Sequence, residues 1–82
     1  MNAIMFTEQY KGLWVVEWSE IQKCFHIQEA ETRIKENIIG CIEERSRGGW
    51  ITVGIFNSFK EGMNLIEVLA KRKEREFELK YA

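Results

Sequence analysis

The sequence predicts a small α+β domain: an antiparallel sheet with the element order β-β-β-α-β-α, one helix packed on the sheet and a C-terminal helix. Apolar residues alternate from Leu13 to Trp18, as they do in a half-buried strand. Between Ala30 and Ile42 they recur every three or four positions, which is the period of an amphipathic helix. The run from Trp50 to Asn57 is rich in β-branched and aromatic residues. We expect residues 1–82 to form a single domain.

The first third of the chain predicts three strands joined by two turns. Asn2 to Thr7 is apolar and compatible with a strand, and the polar stretch Glu8 to Gly12 suits a hairpin turn. In the second strand, Leu13 to Trp18, even-numbered and odd-numbered residues should face opposite sides of the sheet. Ser19 to Lys23 is expected to turn, and Cys24 to Ile27 to form the third strand.

A change of period after Gln28 predicts the first helix. Charged residues fill most of the positions between its apolar ones, so one face should lie on the sheet. Gly48 and Gly49 are expected to end the helix, because glycine readily adopts the left-handed conformation that follows a helix. The predicted apolar face consists of Ala30, Ile34, Ile38, Cys41 and Ile42.

The strand Trp50 to Asn57 is followed by a second predicted helix. Ser58 and Glu61 form a capping box at its start. The helix has two apolar rows and is expected to continue through the charged segment 71–82. The first row is Phe59, Met63, Ile66 and Ala70, and the second is Leu65, Val68 and Leu69.

The composition favours a dense core and weak long-range electrostatics. Hydrophobic residues make up 45% of the chain, with three Trp and five Phe, and the formal net charge is −1. A dedicated nucleic-acid-binding protein normally has a clear cationic excess, so that class is disfavoured. The expected core residues are Ile4, Phe6, Val16, Phe25, Ile34, Ile38, Ile42, Val53 and Ile55.

No residue pattern predicts catalysis, a metal site or a cofactor. His26, the single histidine, is interpreted as a partly buried structural residue, because a general base needs a partner group in reach. Glu17 is the main carboxylate on a predicted strand, whereas metal-dependent nucleases need several. Cys24 and Cys41 are interpreted as free thiols in a reducing compartment. The basic run Lys71 to Arg75 is interpreted as a solvated helix surface.

The apolar residues outnumber those that one face of a small sheet can use. Either the two helices cover opposite faces, or one surface contacts another chain, which could be a second copy or a different protein. We therefore expect a protein partner and consider a homodimer. The residues expected at the interface are Leu65, Leu69, Phe77, Leu79, Tyr81, Trp50 and Phe56.

The segment from Gly12 to Glu44 resembles the antitoxins of the HicB type. Their pattern is a Gly-aromatic-x-Val strand, a turn that ends in Gly-Cys, and a helix in which Glu and apolar residues alternate. The resemblance implies a partial ribonuclease-H-like fold without nuclease activity, which neutralises an mRNA-cleaving toxin by covering it. At the level of pattern it extends over residues 2–57. The matching positions are Gly12, Trp14, Val16, Glu17, Cys24, Ala30, Ile34 and Ile38.

The leading hypothesis is a small non-enzymatic protein that sequesters or occludes a protein partner, as a HicB-like antitoxin or a similar inhibitor would. One alternative is an accessory protein of a phage or mobile element that regulates or inhibits a host or viral target. Another alternative is a nucleic-acid-binding protein. The sequence has no secretion signal and no apolar run of membrane-spanning length, so we expect a cytoplasmic protein without membrane insertion.

Overall fold

The computed structural model describes residues 7–45, 48–73 and 78–81, which form an α+β fold. The predicted fold class is therefore confirmed, and the strands predicted between residues 13 and 57 are present with small shifts at their ends. The elements are a 3₁₀ helix (Glu8–Tyr10), strand β1 (Trp14–Ser19), strand β2 (Cys24–Glu29), helix α1 (Ala30–Ile42), strand β3 (Trp50–Phe56), helix α2 (Phe59–Arg72) and strand β4 (Glu78–Tyr81).

The four strands lie in the order β3-β1-β2-β4. Strand β1 is antiparallel to both of its neighbours, and β4 is parallel to β2. The connections through α1 and α2 therefore join parallel strands and cross the sheet in opposite directions. Because such crossovers are almost always right-handed, the two helices are expected on opposite faces of the sheet. Their contacts, described below, place them there.

The hairpin between β1 and β2 turns without proline or glycine. The Ser19 hydroxyl accepts a hydrogen bond from the backbone N–H of Gln22, and the N–H of Lys23 donates to the carbonyl of Ser19. Lys23 adopts a positive φ of 56°. The Glu20 carboxylate accepts hydrogen bonds from the Lys23 ammonium and the Trp18 indole, and these two contacts hold the pKa of Glu20 below its ordinary value.

Helix α2 covers the face that the even-numbered residues of β1 share. Its N-cap is Ser58, whose hydroxyl accepts a hydrogen bond from the N–H of Glu61, as the predicted capping box requires. The helix lies very close to the sheet at Gly62, where a Cβ atom would be 2.5 Å from Cδ1 of Ile27. The buried cluster between α2 and the sheet consists of Val16, Trp18, Phe25, Ile27 and Ile66.

A β-bulge interrupts the pairing of β3 with β1. Val16 pairs with Gly54, but the next residue, Glu17, pairs with Thr52, so Val53 is the extra residue. A bulge of this kind reverses the alternation of side chains along the strand that carries it. Odd-numbered residues before the bulge, such as Ile51, therefore lie on one face of the sheet, and odd-numbered residues after it, such as Ile55, lie on the other.

The bulge explains why two expectations for β3 are wrong. Ile55 was expected in the core with Val53, but it is 47% exposed, whereas Val53 is half-buried against the cluster. Strict alternation from Val53 would place Phe56 on the opposite face, but Phe56 packs against the same cluster as Val53. Strict alternation cannot anticipate this shift, because the bulge is imposed by the pairing with β1.

Helix α1 is rotated relative to the predicted apolar face. Ala30 is buried, but Ile34 and Ile38 are only half-buried, and the expectation for Ile42 is wrong because it is 72% exposed. The second buried residue of α1 is Arg33. A charged side chain, Arg33, is therefore buried in the fold, whereas Ile39 and Ile42 are exposed.

Of the remaining residues expected in the core, two are confirmed and two lie outside the described residues. Val16 and Phe25 are fully buried, as expected. Ile4 and Phe6 lie outside the described residues. Of the two free thiols, Cys24 is buried in β2, and Cys41 is exposed on α1.

The two ends of the predicted element order differ from the structure. The strand expected over residues 2–7 lies outside the described residues except at Thr7, whose backbone is helical, and a 3₁₀ helix replaces the expected turn at Glu8 to Gly12. The last helix ends at Arg72, so its predicted continuation to the end of the chain is wrong. Residues Glu78–Tyr81 alternate charged and apolar side chains, and their backbone pairs with β2.

Among the helices of the described ranges, none combines the length and the apolar character that crossing a bilayer requires.

Replacing Ile66 by Ala should lower the free energy of unfolding by about 2–5 kcal/mol, because the change leaves a cavity between α2 and the sheet. Val68 is two residues away on the same helix and is 52% exposed, so Val68→Ala should change stability by less than about 0.5 kcal/mol. Urea denaturation followed by circular dichroism measures both values. Equal midpoints for the two variants would contradict the assigned packing of α2.

Candidate functional site

A cleft of about 460 Å³ lies on the face of the sheet opposite α2. The second half of α1 forms one wall, and the start of β3 together with the α1–β3 connection forms the other. A cleft of this size is in the range of small-ligand and side-chain binding sites. Its lining residues are Glu17, Glu36, Asn37, Gly40, Cys41, Arg45, Gly48, Trp50 and Thr52.

Glu17, which lines the cleft, forms a buried ion pair with Arg33 of α1. Glu17 and Arg33 are only 3% and 6% exposed, and Nε of Arg33 lies 3.0 Å from Oε1 of Glu17. Nη1 of Arg33 lies 3.1 Å from Oε2 of Glu36, a half-exposed carboxylate that also lines the cleft. The amide of Gln28 donates to the other oxygen of Glu36. One guanidinium group therefore connects a carboxylate of the central strand to a carboxylate at the surface.

His26 completes this cluster from β2. It is the direct cross-strand neighbour of Glu17, and its Nδ1 atom lies 3.7 Å from Oε1 of Glu17 and 3.0 Å from Nη2 of Arg33. Its ring also packs against Trp50, with 5.5 Å between the ring centroids. We refer to Glu17, His26 and Arg33 as the buried ionic cluster.

The contact with Arg33 favours one protonation state of the His26 ring. A guanidinium group has donors and no acceptor, so the Nδ1 atom beside it must act as the acceptor. The hydrogen of the neutral ring is therefore on Nε2. In this state Nδ1 is already engaged and is not available as a base for a bound substrate.

Glu17 and His26 are each distinctive in the sequence, but their contact was not predicted. The position of the turn could have revealed this contact, because a hairpin centred on residues 20–23 pairs Glu17 with His26. Arg33 was counted among the charged residues outside the predicted apolar face of the helix, since nothing in the helical pattern separates it from its charged neighbours. Its burial depends on the long-range position of α1 over β1.

The residues expected to bind a partner, where the structure describes them, lie in three different places. Leu65, Leu69 and Phe56 are half-buried and pack against the core cluster of this chain, and Trp50 lines the cleft. Leu79 and Tyr81 are in β4, paired with Phe25 and Ile27, rather than in a helix. Phe77 lies outside the described residues.

A different apolar surface is present along β3. This strand is at one edge of the described sheet and contains no charged residue. Ile51 and Ile55 are 58% and 47% exposed. Ile51 pairs with Trp18 and Ile55 with Val15, so the two side chains lie on opposite faces of the sheet. We refer to the side of β3 that has no neighbouring strand among the described residues, together with Ile51 and Ile55, as the β3 edge.

Replacing Arg33 by Met should destabilise the protein by about 3–5 kcal/mol, because the buried Glu17 carboxylate would lose its counter-ion. Lys35→Met is the matched control: Lys35 pairs with Glu31 at the surface, and its loss should cost at most about 1 kcal/mol. Chemical denaturation measures both variants.

The double variant Glu17→Leu/Arg33→Met should recover most of the stability lost in Arg33→Met, because no unpaired charge remains buried. Equal effects of Arg33→Met and Lys35→Met would contradict the role assigned to the buried ionic cluster.

No protein-family model, curated protein or solved structure matches this chain. The resemblance to HicB-type antitoxins therefore stays a prediction based on the sequence pattern between Gly12 and Glu44. The function has to follow from the surfaces that this fold presents.

Proposed function

We propose that this chain is a non-enzymatic protein-binding module that binds an extended segment of a partner protein along the β3 edge. The observation that carries the proposal is an edge strand of seven residues without a single charged side chain, with Ile51 and Ile55 exposed. Binding would occlude the bound segment of the partner. Sequestration of a protein partner was also expected from the sequence, although through a different set of interface residues.

The proposal rests on the chemistry of open sheet edges. An edge strand presents backbone N–H and C=O groups that can pair with another strand, and proteins usually protect such edges with charged residues or proline. The segment WITVGIF contains neither. An added strand would gain backbone hydrogen bonds, and its side chains would cover isoleucines on both faces of the sheet.

The bulge at Val53 determines how a partner strand can be aligned. Bulges bend and twist the strand that carries them, and they often end regular pairing. A partner segment is therefore expected to pair regularly beside Trp50–Thr52 or beside Gly54–Phe56, rather than along the whole strand. Ile51 lies in the first of these stretches and Ile55 in the second.

Three kinds of protein fit this mode of binding. A HicB-like antitoxin would cover its toxin, and an accessory protein of a phage or mobile element would cover a host or viral target. A second copy of the chain could also pair through β3, because an uncharged strand meets no like-charge repulsion from itself. Nucleic-acid binding has weaker support: the net charge is −1, and Lys73 of the basic run has its ammonium group 4.0 Å from the Trp18 ring centroid.

The double variant Ile51→Lys/Ile55→Lys should weaken partner binding by about 30-fold, or roughly 2 kcal/mol, because lysines at an edge oppose strand addition. The matched control is Ile42→Lys/Val68→Lys, which adds the same charge at exposed positions on the two helices. Affinity capture from the native host identifies the partner, and calorimetric titration with the purified partner measures the dissociation constant. Circular dichroism checks that both variants are folded.

A dissociation constant that is unchanged in the edge variant, or weakened equally in the control, would remove β3 as the binding element. Sedimentation measures self-association with the same variants. If capture and sedimentation find neither another protein nor a second copy, protein binding itself is overturned.

Purified protein should not cleave RNA or DNA when Mg²⁺ or Mn²⁺ is added. The reason is the ligand set: Glu17 is engaged by Arg33, and the described residues contain no group of three or more His, Cys, Asp or Glu placed to hold a metal. A nuclease assay with and without chelator measures this. Metal-dependent cleavage that is lost in Glu17→Gln and kept in Glu31→Gln would contradict the proposal.

A further inference from the structure

Charged and polar side chains attach α1 to the sheet. Ala30 and Arg33 are the buried residues of this helix. Arg33 pairs with Glu17 of β1, and Glu36 accepts a hydrogen bond from Gln28 of β2. Ile39 and Ile42 are exposed to solvent. A change in the charges of the buried ionic cluster should therefore loosen α1 from the sheet much more than it loosens α2.

The state of the cluster depends on one proton. Protonation of the neutral His26 ring would place a hydrogen on Nδ1, which now accepts from Nη2 of Arg33 at 3.0 Å. Two donors cannot share a hydrogen bond, and the new imidazolium would face the guanidinium charge directly. His26 can be protonated only when Arg33 has moved away.

We propose that the buried ionic cluster is a pH-sensitive latch, which holds α1 on the sheet while His26 is neutral and releases it when Nδ1 is protonated. The proposal concerns α1 and the cleft, and it holds whichever partner binds at the β3 edge. Release of α1 would open the cleft, because this helix forms one of its walls.

Some groups around His26 favour its protonation and others oppose it. Glu17 on β1 lies 3.7 Å from Nδ1 and favours the imidazolium, while Arg33 on α1 opposes it from 3.0 Å. Trp50 on β3 contributes an aromatic ring, and Lys80 is at the register position beside His26 on β4. Arg33 is nearer to Nδ1 than Glu17 is and occupies the site where the proton must bind, so it opposes protonation of this atom.

The sign and size of the effect follow from linkage. The closed state excludes a proton that the open state binds, so falling pH favours the open state. A solvated imidazole titrates near pH 6.5. The open population of α1 should therefore rise about tenfold between pH 7.5 and pH 5.5. Ordinary carboxylates stay ionised in this range.

Two measurements on the wild-type protein test the latch. Long-range ¹H–¹⁵N correlation spectra at pH 7.5 report the tautomer of His26, and we expect a neutral ring with its hydrogen on Nε2. Amide hydrogen exchange, corrected for the intrinsic effect of pH, gives the opening of α1 relative to α2 in the same sample. We expect this ratio to rise about tenfold when the pH falls to 5.5.

The control variant is His26→Asn, which keeps an acceptor oxygen near the position of Nδ1 and cannot be protonated. The ratio of α1 to α2 exchange in this variant should not change between pH 7.5 and 5.5. A wild-type ring that is charged at pH 7.5, or that carries its hydrogen on Nδ1, overturns the proposal. So does a wild-type ratio that is independent of pH, or a His26→Asn ratio that responds as the wild type does. The wild-type measurements decide the matter even if the variant does not fold.

Discussion

The burial of β1 on both faces is the constraint on which the other features of this fold depend. All five residues from Val15 to Ser19 are buried, with α2 on the face of Val16 and Trp18 and the cleft on the face of Glu17. A central strand with an apolar residue at position 17 could be covered by any apolar helix. A carboxylate at that position requires a cation close by. Arg33 supplies it, and its position sets the rotation of α1.

An ion pair of this kind determines structure more than it adds stability. Removing two charges from water offsets most of the attraction between them, so a well-packed apolar pair of similar volume is often as stable. The geometry is more demanding than the energy suggests, because Arg33 must reach Glu17 on β1 and His26 on β2 at once. Few rotations of α1 satisfy both contacts. This restriction explains why the helix exposes isoleucines that a purely apolar interface would have buried.

Local signals in the sequence were enough to locate most of the elements. The alternation in β1, the β-branched run in β3 and the capping box at Ser58 each lie within a few residues, and the structure has all three. The bulge at Val53, the burial of Arg33 and the pairing of β4 were not predictable in this way. Each depends on a neighbour that is distant in the sequence. The candidate site combines such features, so its residues were visible separately and their arrangement was not.

The parallel pairing of β4 with β2 has a consequence for the order in which the chain assembles. The β1–β2 hairpin closes a loop of a few residues, whereas β4 joins β2 across about fifty residues of intervening chain. Contacts between distant segments form late, because the loop entropy must be lost before they contribute. The outer edge of β2 is therefore open to other strands until residues 78–81 arrive. On the ribosome this interval would be the time at which the nascent chain is most prone to aggregate.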